Sequence, residues 1–504
     1  MGRAFLNRVF SNLSTFLCVV LCFMLILVSG TDLHAAKDNN GASHKISASS
    51  GTSVANDDEQ DDDLMMDDLL NEAGADTVLP EPEPGAGKSL PLRLEGQVIS
   101  SLWMPVHDPD TLYTSNRMDL RAWKDLSDFR FEGRFRLDYQ DLEGSNKTRA
   151  GIRELYAGYR TDAIAGKPAE FFLGRKMIYW GKGDEVRPLD RVCPQDYTSF
   201  LFYDLNDRKT GRTGMFFNIE PGQDLRFEGF WSPYFEADSS PGLHDFFEPG
   251  AMKKFTALGI DINEADSPNE WAYDAGIGGR LMFSLLKADI ALYGFYGRDP
   301  APVYKISRLG VHPLTGLAVI PKAFQAVHPR MGLFGMDIER SAGPFVLRAE
   351  AAYQNEGAFY NVDFEHRPLL LLKYPEGVMQ KDQIQYVLGL DRNDLFVHNL
   401  FLNLQYFGRY IVDYCNEIAV PESITGMTAY LRYSLMDSRL TLSYRLTSFF
   451  NARNNRHRLE AGYKALSWLE TSLGFIWYDG KSGTGYFGQY DDNDFIYAKM
   501  KIVF

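Results

Sequence analysis

From Leu92 to the carboxyl terminus, apolar and polar side chains alternate over segments of roughly ten residues, the length of a strand that crosses a membrane. Phe129, Phe131, Gly133, Phe135, Leu137 and Tyr139 share one face of an extended segment, while Arg130, Glu132, Arg134, Arg136 and Asp138 share the other. The last stretch, Asp494 to Phe504, repeats the pattern, with Ile496, Ala498, Met500, Ile502 and Phe504 opposite Tyr497, Lys499 and Lys501. Leu400, Leu402, Leu404 and Tyr406 oppose Asn403 and Gln405; Leu440, Leu442, Tyr444 and Leu446 oppose Arg439 and Arg445. Leu459, Ala461, Tyr463 and Ala465 oppose Arg458, Glu460 and Lys464, and Arg432 is inward in the segment from Met427 to Ser434. A period of two is that of a strand. Charges at every second position are hard to bury in a soluble core and suit a water-filled lumen behind a lipid-facing wall. No convincing helix follows Pro91 that could cover the apolar face. The predicted fold is all-β, a transmembrane antiparallel β-barrel.

Connection lengths give a second signal. Short turns are predicted at Pro221-Gly222, Ser284 to Lys287, Ser341 to Gly343, Arg392 to Asp394, Met436 to Ser438 and Leu466-Ser467. Longer loops lie between them, at 181–211, 233–270, 299–329, 356–380, 410–424, 450–455 and 480–493. Alternation of short and long connections is that of periplasmic turns and extracellular loops. Aromatics gather at strand ends (Phe407, Tyr410, Phe449, Phe450, Trp477, Tyr478) like an interfacial girdle. Traced back from a periplasmic carboxyl terminus, parity requires a further strand near Tyr113 to Trp123, despite its poor alternation. With it the count is about 18 strands, 16 being the alternative, both within the even range of such barrels.

Composition changes the picture mainly at the amino terminus. The chain has 504 residues, 14% of them aromatic, and a mean hydropathy of -0.26 that is too polar for a bundle of membrane helices. Arg3 and Arg8 precede an apolar run from Phe16 to Val28, followed by small residues at Ser29-Gly30 and Ala35-Ala36, so residues 1–36 read as a secretory signal peptide. Residues 37–90 read as an acidic disordered linker. Thirteen acids against three bases give that stretch -10 of the chain's formal -15; residues 1–36 carry +1, which leaves -6 for the rest. Leu64, Met65, Met66, Leu69 and Leu70 could form one amphipathic turn within the linker. Residues 91–504 are the expected barrel domain. Beyond the leader only Cys193 and Cys415 remain, and with both on external loops they form a candidate disulfide.

The most distinctive stretch is the third external loop and its approach: Gly174-Arg-Lys-Met-Ile-Tyr-Trp-Gly-Lys-Gly-Asp184, then Arg187-Pro-Leu-Asp190, Cys193-Pro-Gln-Asp196 and Asp204-Leu-Asn-Asp-Arg-Lys209. Here the chain resembles a porin-like family of outer-membrane β-barrels of unassigned function, distantly similar to alginate-export barrels. The shared pattern is Gly-Arg, Trp-Gly-Lys/Glu-x-Asp, Leu-Asp, Asn-Pro-x-Asp and an acidic-basic tail, with Cys193 standing where Asn is usual. The terminal strand is likewise similar to closing strands of such barrels, which implies that Phe504 is an assembly signal read by the barrel assembly machinery. Gly181 and Gly183 permit a turn that other residues resist. Folded into the lumen, the loop would set Asp184, Asp190, Asp196, Asp204 and Asp207 against wall cations such as Arg134, Arg136, Arg432 and Arg445. Lys182 and Trp180 complete the candidate constriction, with Trp180 read as a girdle or loop anchor. Opposed charges across a narrow passage filter solutes; the alternative is an external cap whose ion pairs only brace the loop.

No Gly-x-Ser-x-Gly, His-Glu-x-x-His or phosphate-binding Gly loop occurs, so no enzyme, cofactor or metal is expected. The expected function is diffusion of small polar or anionic solutes through an outer-membrane channel. The alternatives are an export conduit for an acidic polysaccharide, and an outer-membrane hydrolase or non-conducting structural barrel. Expected partners are outer-membrane lipid, the assembly machinery and the solute, with no nucleic acid; the oligomeric state stays open.

Overall fold

The computed structural model describes residues 92–504, apart from 143–144, 165, 223, 243–244, 264–270, 272, 312–318, 452–453 and 482–484. The expected leader, the acidic linker and its Leu64 to Leu70 turn lie outside the described residues.

Eighteen strands make one closed antiparallel wall. The first five are β1 (Arg93–Pro105), β2 (Tyr113–Leu126), β3 (Phe129–Leu142), β4 (Ser145–Ile164) and β5 (Lys167–Lys176). Next come β6 (Arg212–Gly222), β7 (Leu225–Ser232), β9 (Gly276–Leu285), β10 (Ala288–Arg298) and β13 (Arg330–Ala342). The wall continues through β14 (Phe345–Asn361), β15 (Val378–Arg392), β16 (Leu400–Ile411) and β17 (Ser423–Leu435). It ends with β18 (Leu440–Phe449), β19 (Asn454–Leu466), β20 (Leu469–Asp479) and β21 (Phe495–Val503). Each strand pairs with the next in this order, and β21 pairs with β1, Ile502 opposite Val98 and Tyr497 opposite Trp103. Closure leaves no open edge, as lipid demands.

The outward positions are those the alternation assigned. Phe129, Phe131, Phe135 and Leu137 are exposed, whereas Arg130, Glu132, Arg136 and Asp138 are buried inside the ring. At the closing seam Ile496 and Met500 face out, while Tyr497 is buried and Lys499 reaches Glu460 at 3.4 Å. The strand required by parity is β2, in regular register with β1 and β3 on both flanks. Its alternation fails because outward Asn116 is polar; it accepts a 2.7 Å hydrogen bond from Ser100 of β1, so the pair carries its own satisfaction.

Short connections lie at one end, including 127–128, 286–287, 343–344 and 436–439, and the long ones at the other, including 177–211, 233–275, 299–329 and 480–494. Leu286 and Lys287 both adopt positive φ (55° and 60°), the geometry of a two-residue hairpin turn whose twist matches its strands. Two elements go beyond the sequence reading. The loops joining β7 to β9 and β10 to β13 carry a separate sheet of β8 (Asp261–Asn263), β11 (Val303–Val311) and β12 (Val319–Val327). Short helices α1 (Leu205–Arg208), α2 (Gly250–Ala257) and α3 (Leu370–Lys373) sit in loops as well. No described helix is long and apolar enough to cross a membrane.

The interior is two-sided. Tyr156, Phe172, Phe216, Phe230, Tyr293, Phe295 and Leu333, from β4 to β13, form an apolar cluster with Trp180, Leu189 and Val192 of the 177–211 loop. The inner face of β18 and β19 carries Arg445, Arg456, Arg458 and Glu460 instead. The loop thus has one apolar wall to adhere to and one charged wall to face.

Candidate functional site

The loop 177–211 joins β5 to β6 and turns into the ring. Its anchor is Trp180, 1% exposed, with its ring 5.2 Å from Tyr293 and 5.9 Å from Phe230. Trp180 is therefore a loop anchor and presents no open stacking face. The chain then turns at Gly181 (φ 81°), where a Cβ would lie 2.5 Å from a Glu350 carboxylate oxygen. That carboxylate organises the turn. Glu350 of β14 accepts hydrogen bonds from the backbone N–H groups of Lys182 (2.9 Å), Gly183 (3.1 Å) and Leu189 (2.7 Å). Backbone N–H groups converging on one carboxyl group make a nest, so the loop's glycines serve its docking.

Beyond the nest the loop meets the charged wall. Asp184 accepts hydrogen bonds from the side chains of Asn403 and Gln405 (3.1 Å to the latter). Glu185 pairs with Arg445 at 2.6 Å and Arg456 at 3.5 Å. Asp204 lies 3.2 Å from Arg445 and 3.4 Å from Arg458. Enclosure works against both carboxylate charges. The guanidiniums of Arg445, Arg456 and Arg208 nevertheless hold Glu185 below the usual carboxylate range. Arg458, Arg445, Lys499 and Arg456 do the same to Asp204. On the far side, Arg153 of β4 donates to the backbone carbonyls of Asp207 (2.6 Å) and Asn206 (2.9 Å). Arg136 of β3 lies 3.7 Å from the Asp207 carboxylate. The strands that hold the loop, β3 and β4 against β14 and β16, stand on nearly opposite sides of the ring. The loop crosses the lumen.

The expected site residues divide accordingly. Asp204 with Arg445 and Asp207 with Arg136 are the opposed pairs anticipated; Lys182 approaches Glu339 of β13 at 3.7 Å. Among the described residues Asp190 faces no wall cation. It is buried against Lys209 of the same loop at 2.5 Å, while burial pulls the Lys209 ammonium below its ordinary value. Asp196 accepts from Thr198 (2.6 and 3.0 Å) and reaches Arg149 only at 3.8 Å. Both carboxylates brace the loop. Arg134 is engaged by Glu154 (2.9 Å) and Glu132 (3.1 Å) of the strands, and Arg432 stacks over Phe401 nearer the short turns, its guanidinium 5.4 Å from the ring.

The disulfide is corrected: Cys193 and Cys415 are both free. Cys193 is carried inside the ring with the loop, its sulfur accepting from the Ile178 N–H at 3.2 Å, and burial pushes its thiol up to about 11. Cys415 stays on the 412–422 connection, against Met379. Parity placed both on one end of the barrel, but the inward fold of the loop separates them.

Sequence reasoning missed Glu185, Arg456, Arg153 and Glu350. Alternation already placed Arg458 inward, and the same count extended two residues back reaches Arg456. Glu185 adjoins the noted Asp184 but lies outside the family pattern. Among the described residues no group of His, Cys, Asp and Glu is placed to hold a metal ion.

A closed eighteen-stranded wall, apolar outside and polar within, with a loop folded across its lumen, defines a transmembrane β-barrel of the outer-membrane class. The chain belongs to the DUF1302 family, proteins of unknown function, whose profile matches residues 37–504. No curated protein matches it. Among solved structures it is similar to Acinetobacter baumannii OccAB3, at 10% identity and a TM-score of 0.44, covering 82% of this chain and 99% of that one. It is similar to Pseudomonas aeruginosa OccK5 (OpdH) at 12% identity and a TM-score of 0.46, covering 82% and 97%. Pseudomonas aeruginosa OpdK, solved with vanillate, gives 9% identity and a TM-score of 0.47, covering 82% and 98%. Similarity to alginate-export barrels is not shown by these comparisons.

Proposed function

We propose that this barrel is a passive channel of the bacterial outer membrane for small polar or anionic solutes, and that loop 177–211 is its constriction. The observation that carries the reading is the seating of Glu185 and Asp204, both from the loop, on Arg445, Arg456 and Arg458 of the wall. Opposed charges across a confined space create a transverse field that orders water and favours polar over apolar solutes. The loop's attachment to nearly opposite strands supports passage of small solutes over export of a polysaccharide, since a polymer would require the loop to leave. Purified protein in planar bilayers tests this. Ion-selective conductance blocked by small anions is expected. Block by oligouronates alone would favour export, and silent bilayers combined with ester hydrolysis in detergent would remove the channel reading.

A further inference from the structure

We propose that the seat of the Asp204 carboxylate, on Arg445 and Arg458 beside Lys499, is a binding site for the carboxylate of a solute, and that Asp204 is its resident competitor. The neighbouring acid shows the contrast. Glu185 is 14% exposed and bound at 2.6 Å to Arg445, a firm pair. The Asp204 side chain is 53% exposed to the lumen, and one oxygen alone takes both cations, at 3.2 and 3.4 Å. Asp204 is thus the more solvated of the two acids and makes the longer contacts, so it is the more readily displaced. Asp204 also precedes α1 without making a side-chain capping bond to it, so among the described residues the wall cations retain the carboxylate.

The seat persists when Asp204 leaves. Arg458 is fixed by Glu460 (2.6 Å), the Tyr497 hydroxyl (2.9 Å) and the Phe202 carbonyl (3.2 Å), and Arg445 is fixed by Glu185. One Nη1 from each arginine is thus held facing the seat, and a hydrogen bond from a charged donor to a carboxylate is of the stronger kind. A solute carboxylate entering the lumen exchanges with Asp204, atom for atom, and no covalent step is involved. Glu185 stays on Arg445 and keeps part of its charge compensated. The ligand class is therefore a small mono- or dicarboxylate, not a neutral polar solute.

This inference rests on the channel reading for the solute's passage, but not for its binding, so the test is a binding measurement. Calorimetric titration of the detergent-solubilised barrel with succinate, and with neutral succinamide, compares wild type, Asp204→Asn and Asp204→Glu. Asp204→Asn is expected to bind succinate about fivefold more tightly, the worth of an exposed ion pair removed from competition. Asp204→Glu should return affinity to the wild-type value, and succinamide should be indifferent to all three. Asp204→Ser replaces Asp204→Asn if the latter does not fold by heat-modifiable migration. Unchanged or weaker succinate binding in the neutral variant, or equal gains for succinamide, overturns the proposal. Tighter succinate binding in a barrel that passes no ions would retain the site and sink the channel.

Discussion

Glu350 is the residue on which the loop's entry depends. It sits on β14, inward like Arg348, and gathers three backbone N–H groups that would otherwise be orphaned inside the ring. Each buried N–H left without an acceptor costs about 1–3 kcal/mol, so Glu350→Ala should weaken the loop's docking by about 3 kcal/mol or more. The expected result is cleavage of 177–211 by added protease and a larger, noisier open-channel current. Glu350→Gln, which keeps one acceptor oxygen, should be intermediate; wild-type behaviour of the alanine variant would refute the nest. Asp190 tests a different role. Its partner Lys209 is wholly buried, and a buried pair broken on one side costs about 3–5 kcal/mol. Asp190→Asn should therefore lower the thermal midpoint of the loop's release while leaving reversal potentials unchanged. A large selectivity shift would return Asp190 to the pore.

At the scale of the element, Glu185, Asp204 and Asp207 meet the wall cations, Asp184 sits on Asn403 and Gln405 of the wall, and Asp190 and Asp196 make their nearest contacts within the loop. Glu185→Gln leaves Arg445 and Arg456 less compensated, so anion selectivity should rise, most at low ionic strength where screening reaches to about 30 Å at 0.01 M. The depressed carboxyls of Glu185 and Asp204 also fix a pH window. Their pairs contribute fully above the ordinary carboxylate value, about 4, and are lost only as pH falls through the lower folded values. The contribution of these two pairs to selectivity should stay flat from neutrality to about pH 5 and fall only in stronger acid. Asp238, in the neighbouring 233–275 loop, runs the opposite way. Burial and nearby Asp299 push its carboxyl up to about 7, although the Gln195 N–H and the cations Arg191 and Arg208 oppose this. Its protonated form is favoured in the folded loop, so docking against 177–211 should weaken as pH rises from the ordinary carboxylate value, about 4, to about 7 and level off above it. Protease sensitivity of 233–275 that rises from about pH 5 to about pH 7, and is flat in Asp238→Asn, would bear this out. The loop's path was only half legible in sequence. Gly181, Gly183 and Trp180 announced a turn and an anchor, because backbone freedom and a large apolar ring are local properties. Which carboxylate braces and which faces the wall depends on contacts with strands more than a hundred residues away, such as Asp184 with Asn403.

At the scale of the whole molecule, the wall was legible because lipid and lumen impose the same two-residue period on every strand, and β2 was recoverable by parity alone. The external sheet of β8, β11 and β12 was not, since it lies in loops that answer to no membrane period. The seam between β21 and β1 runs on to Phe504. Phe504 exchanges two backbone hydrogen bonds with Gly96, Phe504 N–H to the Gly96 carbonyl at 2.9 Å and Gly96 N–H to the Phe504 carbonyl at 2.7 Å. Its ring covers Gly96 so closely that a Cβ there would meet it at 2.5 Å. Glycine under an aromatic ring is a known way to complete a strand edge. We propose that Phe504 is also the assembly signal. Deleting it should leave the β1–β21 seam short of its final rung, with backbone groups unsatisfied in lipid at several kcal/mol each. Removing Lys37 to Gly85 touches no described wall contact. The shortened seam should fail to reach heat-modifiable form in membranes, while the variant lacking 37–85 assembles as wild type. Gly96→Val separates the two roles of Phe504, because it displaces the ring yet keeps the terminal residue. If Gly96→Val assembles poorly and the deletion of Phe504 assembles well, packing at the seam governs closure and the terminal residue carries no signal.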